Sequence, residues 1–354
     1  MKHQASHVAI AGAGVIGTSI AWRLSQAGVA VTLFDAGILG GEASSAAAGM
    51  LSPGGEFEKR SHWFDLGLAS ALLYPDFIEE LQAESGERID FRICGCVQIA
   101  LSEEERYRAQ ARAEFQSGAG IRVQVTREGL FYPDDALVDP VDLLRALRKA
   151  SERRSVCILE RQPIPEIESS GYGAVVIAAG AWSGGIQVRY RDHAVPIPAA
   201  IPIKGHLLGF DLAPGALGPM RRQGPTYVLQ RANGFVVAGS TEQQVGFDRT
   251  VDAAVCGEIH RRAAVLFPQL TDLQPSKRWI GFRPQSVEHA GPNIAGPHMG
   301  RVADTNVWLA YGHYRHGILL APLTAQKIAS EVISSLAATR DSLLRPLTTV
   351  KPQS

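Results

Sequence analysis

His7–Asp35 reads HVAIAGAGVIGTSIAWRLSQAGVAVTLFD, and this stretch decides the fold. His7–Ala11 is a short apolar β-run. Gly12-Ala13-Gly14-Val15-Ile16-Gly17 follows as G-x-G-x-x-G, and Thr18–Ala27 then spaces Ile20, Ala21 and Leu24 along one helical face. Gly28 is a natural stop just past a helix end. Val29–Phe34 is a second strand, closed by Asp35. Strand, turn, helix and strand in this order call for a parallel sheet, because parallel neighbours need a crossover. The first glycine permits the tight turn. The second lets the backbone approach a pyrophosphate, and the third lets helix and strand pack closely. The helix start adds unpaired N–H groups and the positive end of its dipole. Asp35 stands 35 − 12 = 23 residues past the first glycine, where an acid accepts bonds from a ribose diol. The motif does not separate NAD from FAD. An acid at this place argues only against a 2′-phosphate, hence against NADP.

Downstream, Gly40–Met50 (GGEASSAAAGM) is rich in small residues and reads as a loop packed closely against something. Trp63–Gln82 is helical, with Pro75 marking a break or a new first turn. Glu103–Phe115 is a charged, solvent-facing helix, and Asp139–Arg154 is an amphipathic helix with Asp139 as its cap. Gly173–Gly185 (GAVVIAAGAWSGG) is a buried strand and a Gly-rich turn. Pro196–Phe210, Thr226–Leu229 and Gly234–Ser240 suit an antiparallel sheet. Val255–Phe267 and Leu323–Leu336 read as helices, Asn306–Tyr311 as a strand running into GHYRHG, and the last dozen residues as a tail. There is no internal repeat. A nucleotide-binding domain is thus interrupted by a second, sheet-rich one.

The chain has 354 residues, enough for two domains. Lys+Arg and Asp+Glu are both 35, so the formal net charge is zero, which removes the broad electrostatic case for nucleic acid or an anionic membrane. Hydrophobic residues make up 45%, so there is ample core material. The four cysteines form no disulfide framework; Cys94-Gly95-Cys96 lacks the second pair that a metal site needs, and all four read as isolated small residues. No stretch is long and apolar enough for a signal core or a membrane span. The expectation is a cytoplasmic protein in a reducing compartment.

The turn, together with GEASSAAAGML (Gly41–Leu51), GAWSG (Gly180–Gly184), GFRP (Gly281–Pro284) and GHYRHGILLAP (Gly312–Pro322), resembles the glycine oxidase branch of the D-amino acid oxidase flavoproteins. The resemblance implies a Rossmann-type FAD-binding domain with an inserted, mostly antiparallel substrate domain. The boundaries are 1–80, 130–195 and 286–354 for the former and 81–129 and 196–285 for the latter. It implies non-covalent FAD and oxidation of glycine, sarcosine or small D-amino acids to the imine. Oxygen reoxidises the flavin to give H2O2, and a homotetramer is common. In many bacteria the imine feeds thiamine thiazole synthesis.

The implied FAD contacts are Gly12, Gly14, Val15, Ile16 and Gly17, then Asp35 and Ala36, then Ala43, Ser44, Ala48, Gly49 and Met50. An adenine contact falls near Ile164. His313, Tyr314, Arg315, His316, Gly317, Ile318 and Leu319 line the flavin edge, where a helix start stabilises developing negative charge. Arg283 matches the carboxylate clamp, since a carboxylate wants a bidentate guanidinium. Arg315 matches a second pocket arginine, and Tyr227 a pocket tyrosine 283 − 227 = 56 residues before the clamp. No catalytic acid or base is required, and His313 and His316 are taken as structural.

The sequence departs from its relatives in places. Arg161–Tyr172 is short where relatives carry a hairpin, Asp35 replaces a more usual Glu, and His316 a more usual Asn. Glu242 stands where relatives often have an apolar pocket wall, so it pairs with a substrate ammonium, selects a different amine, or lies in a solvated loop. Two alternatives stand beside the oxidase: a flavin dehydrogenase of the same fold that feeds a quinone, and an NAD-binding or structural Rossmann module.

Overall fold

The computed structural model describes residues 7–55, 60–286 and 296–344, without the side chains of 341–344. The tail expected over the last dozen residues lies almost wholly outside this range. A six-stranded sheet has the order His298–Arg301, Val307–Tyr311, Ala174–Ile177, His7–Ala11, Ala30–Phe34, Cys157–Leu159. Five strands are parallel, and His298–Arg301 joins antiparallel at the edge. The first strand is central: the chain builds outward on one side, then returns to build on the other. A sheet with such a reversal opens a crevice at the carboxyl ends of its strands.

Successive side chains of these strands point to opposite faces. Val8, Ile10 and Val176 meet the helices Val15–Gln26, His62–Ser85, Pro140–Arg153 and Gly317–Leu344. Ala9, Ala11, Val175 and Ile177 meet a small sheet of Glu166–Glu168, Gln187–Tyr190 and His193–Val195. The short segment Arg161–Tyr172 supplies one strand of that small sheet, the only one of the three that precedes GAWSG.

An eight-stranded sheet is antiparallel except where Met220–Gln223 runs parallel to Cys96–Ile99. One face is covered by the helix Ala253–Leu266 against Leu208, Phe210, Val228 and Val236. The boundary drawn at 129/130 falls inside the strand Gly129–Tyr132, and that at 285/286 inside Lys277–Ser286. Both strands hydrogen-bond within the large sheet.

Pro75 neither breaks a helix nor starts one: His62–Ser85 runs through it. Trp63 and Phe64 before the proline, and Phe77, Ile78 and Leu81 after it, are all buried, so both halves are held by packing. The C-terminal helix begins earlier than Leu323, at Gly317, and passes Pro322. Proline removes an N–H and so orphans the carbonyl four residues back. Here the Tyr74 hydroxyl donates to the Ile318 carbonyl at 2.6 Å and the Ser70 hydroxyl to the Leu319 carbonyl at 2.6 Å. The cysteines are free: Cys96 and Cys256 are buried, Cys94 is half-buried in the link between the strands Phe91–Ile93 and Cys96–Ile99, and Cys157 is exposed at the start of the edge strand Cys157–Leu159. Among the described residues no helix is long and apolar enough to cross a membrane, and no His/Cys/Asp/Glu cluster could hold a metal.

Candidate cofactor and substrate site

A cavity of about 630 Å³ runs from the carboxyl ends of the parallel strands to the free face of the large sheet. That volume is ample for a large organic ligand. Gly12, Gly14, Val15 and Ile16 form one wall, and Asp35, Ala36 and Ile164 the far end. Ala43, Ser44, Ala48, Gly49 and Met50 line the middle, and His313 through Leu319 continue the wall. Tyr227, Arg283 and Arg315 face the other end. Gly17 alone of the assigned residues is not on the wall. A Cβ on Gly17 would stand 1.9 Å from the Gly12 carbonyl, so its smallness serves the helix–strand contact.

The Gly-rich turn fits a pyrophosphate. Gly12 has φ +106°, open to glycine but rare for other residues. A Cβ on Gly14 would meet only the Ser44 Oγ, at 3.2 Å, so its bare face belongs to the cavity rather than to the fold. Asp35 accepts from the Ala13 N–H at 2.7 Å and the Gly37 N–H at 2.7 Å, one on each oxygen. Each oxygen keeps a lone pair, so a diol can still donate to it. The helix Ala43–Ala46 lies close to the large sheet because Gly281 has no side chain: a Cβ there would be 2.7 Å from that of Ala46. The Trp279 indole N–H donates to the Ala46 carbonyl at 3.0 Å and fixes this approach. The small residues of Gly41–Leu51 therefore leave main chain, not side chain, along the cavity. The cavity, the glycine turn and the acid at its end fit FAD.

At the substrate end, Arg283 lies in the strand Lys277–Ser286 and reaches over Gly205 of the neighbouring strand Ala200–Asp211. A Cβ on Gly205 would be 2.4 Å from its Nη2. The guanidinium donates to the Thr241 carbonyl at 2.8 Å and to the Ser240 Oγ at 2.6 Å. Tyr227 lies across from Gly239, whose missing side chain makes room for its ring. Gly205, Gly239, Ser240 and Thr241 were not assigned from sequence. The one available signal was glycine inside a strand, which marks a close approach.

Glu242 is engaged by two residues of the cavity wall. Its carboxylate accepts from Arg315 Nη1 at 2.7 Å, and the Tyr314 hydroxyl is also bonded to it. Burial, then the Glu242 charge, push that hydroxyl up to about 12. A charge-assisted bond between guanidinium and carboxylate is among the stronger hydrogen bonds. Arg249 also lines the cavity, and it is paired with Glu42 at 2.7 Å. His313 is fully enclosed, its Nε2 facing the Thr324 hydroxyl at 3.0 Å. Burial, aided by the neighbouring His316 and His298, pushes it down to about 3.

The chain matches the DAO family model, described as FAD dependent oxidoreductase, over residues 7–331. It is 31% identical to a glycine oxidase of Geobacillus kaustophilus over 92% of each chain. It is 30% identical to a bifunctional protein ThiO/ThiG of Synechocystis sp., over 98% of this chain and 55% of that one. The crystal structure of glycine oxidase from Geobacillus kaustophilus superposes with a TM-score of 0.84 at 29% identity, covering 92% of this chain and 94% of that one. With the glycine turn, the crevice at the strand ends and these matches in agreement, the chain belongs to the DAO family of FAD-dependent oxidoreductases, and FAD is its cofactor.

Proposed function

We propose that the chain oxidises glycine, or a similarly small amine such as sarcosine or D-alanine, to the imine, with O2 as acceptor and H2O2 as product. Hydrolysis of the imine gives an oxo acid and ammonia. The physiological role we assign is supply of that imine to thiamine thiazole synthesis, in keeping with the ThiO/ThiG relative.

The observation that carries this reading is the charge state of three cavity arginines. Arg249 and Arg315 are each neutralised by a carboxylate. Arg283 is held by a hydroxyl and a carbonyl, so among the described residues its charge has no carboxylate partner. A site with one uncompensated guanidinium takes one carboxylate. Arg283 forks that carboxylate and Tyr227 flanks it, which leaves the α-carbon and amine to project along the cavity.

Gly12–Ile16 would hold the FAD pyrophosphate, Asp35 its ribose and Ile164 its adenine, while Ala48–Met50 and His313–Leu319 would hold its ring system. When bound, it supplies the hydride acceptor for the substrate α-C–H and passes the electrons to O2. The chain supplies orientation, worth several kcal/mol of barrier, and a pocket dried by Met50, Leu207 and Ile318. Among the described residues no side chain is assigned the substrate proton: His313 is neutral and turned toward Thr324, so the amine would shed its proton to solvent.

A substrate panel of glycine, sarcosine, D-alanine, L-alanine and D-aspartate with peroxide detection tests the reading. The first three are expected to release peroxide under air. Arg283→Ala is expected to raise KM for glycine about 100-fold, the loss of a charge-assisted pair worth roughly 3 kcal/mol, with the protein still yellow. Near-normal kinetics in that variant would remove Arg283 from the clamp. Turnover with a quinone but none with O2 would favour the dehydrogenase.

A further inference from the structure

The back of the clamp is a second layer of polar residues. In the antiparallel pair of Ala200–Asp211 with Phe235–Gly239, Leu207 faces Gly239. The pairing lapses and resumes at Lys204 facing Gln243. Between these points one strand advances 207 − 204 = 3 residues and the other 243 − 239 = 4. The extra residue is a β-bulge, a device that re-aims side chains beside sites. It presents the Thr241 carbonyl to Arg283 and the Glu242 carboxylate to Arg315. Inside the bulge the ladder acceptor is replaced by the Thr241 hydroxyl, which takes the main-chain N–H of His206 at 3.0 Å.

His206 is fully buried, on the face of the sheet opposite Gly205 and Leu207, which line the cavity. Its Nε2 accepts the N–H of Asp252 at 3.1 Å, and Asp252 caps the helix Ala253–Leu266. With Nε2 accepting, Nδ1 carries the proton and donates to the Thr241 Oγ1 at 3.2 Å. One chain of bonds thus runs from a helix cap through the imidazole and Thr241 to Arg283.

We infer that His206 is a positioning residue for the carboxylate clamp: it acts through Thr241 and never touches substrate. This rests on the monocarboxylate reading above. The groups facing the ring are Lys204 on its own strand and Asp248, Asp252 and the Thr250 carbonyl from the segment that follows the bulge. Burial first, then Lys204, hold the imidazole below its ordinary range, while Asp252, the Thr250 carbonyl and Asp248 oppose them. In its charged form Nε2 can no longer accept from Asp252, so the anchor of the bulge is lost.

The test uses the FAD-loaded enzyme. Spectral titration of the bound flavin with glycolate reports carboxylate binding without turnover, and steady-state kinetics on glycine report KM and kcat. His206→Phe keeps bulk and removes both ring nitrogens. The expected result is about a 10-fold loss in glycolate affinity and a matching rise in KM, the scale of one hydrogen bond. The kcat should stay within about twofold, and FAD affinity should not change. His206→Asn keeps a donor where Nδ1 stood, so it should recover most of that loss. Thr241→Val removes the same link from the other end and should reproduce His206→Phe. As pH falls below the ordinary imidazole value of about 6.5, glycolate affinity should drop in the wild type but not in His206→Asn. Unchanged glycolate affinity in His206→Phe and Thr241→Val would overturn the inference. So would His206→Asn behaving as badly as His206→Phe, or flavin and glycolate being lost together. A wild type that binds neither glycine nor glycolate would instead sink the monocarboxylate reading, and this inference with it.

Discussion

Gly14 and Gly17, three positions apart in one turn, fail differently when given a side chain. Gly17→Ala puts its Cβ 1.9 Å from the Gly12 carbonyl, so the first helix must leave the first strand. It should fail to yield folded protein, read as loss of soluble expression. At Gly14 the nearest obstacle is the Ser44 hydroxyl at 3.2 Å, so a side chain there intrudes on the cavity instead. Gly14→Val should fold with a near-normal melting temperature and bind FAD at least 10-fold more weakly, measured by flavin fluorescence during reconstitution. Full flavin occupancy in that variant would refute the pyrophosphate reading. These glycines were legible because a short motif carries its own geometry. The tethers of Arg283 were not, since Ser240 and Thr241 reach it only through strand pairing across 283 − 241 = 42 and 283 − 240 = 43 residues. The pairing of Glu242 with Arg315 was not legible either, because Arg315 lies 73 residues away in sequence.

At the scale of elements, the long helix Gly317–Leu344 is continuous past Pro322 because another helix satisfies it. The Tyr74 hydroxyl takes the Ile318 carbonyl that the proline orphans, 244 residues away in sequence. Tyr74→Phe removes that donor and keeps the ring, so it should cost about 1–3 kcal/mol for a buried unsatisfied carbonyl, measured by urea unfolding. Ile318 lines the cavity, so flavin affinity should fall with it. A Tyr74→Phe protein as stable as the wild type would show that another group serves this carbonyl. Helices and central strands with strong periodicity were readable, as Pro140–Arg153 and Val307–Tyr311 show. Pro75 misled, since local chemistry says break and only distant packing says continue. Strands as short as Met50–Leu51 and Ala136–Val138 carry too few residues for a period to register.

Across the whole molecule, the large antiparallel sheet is tied to the cavity wall at Asp135, in the turn between the strands Gly129–Tyr132 and Ala136–Val138. This acid is 4% exposed and bonded to Ser52 of the cavity wall, with Arg222 of the large sheet nearby. Burial raises it to about 7, against the opposing pull of Arg222 and the Ser52 bond. The folded state therefore holds a proton that the unfolded chain releases near pH 4. Stability from this group is complete below about pH 4 and is lost as pH rises through about 7. Asp135→Asn does not titrate, so its melting temperature relative to the wild type should climb between pH 5 and pH 8. A constant offset would show that Asp135 is charged throughout. Composition and the order of strands and helices carried the two-domain plan, but nothing local marks Asp135 as a buried tie between the large sheet and the cavity wall.

The bulge at Ser240–Glu242 has one more consequence. The residues that aim Arg283 and Arg315 are consecutive, so the orientation of the pair is inherited as a cassette. Grafting a segment of different length or chemistry between Gly239 and Gln243 would retune amine preference in a single step, while the glycine turn and Asp35, built from another part of the chain, stay as they are.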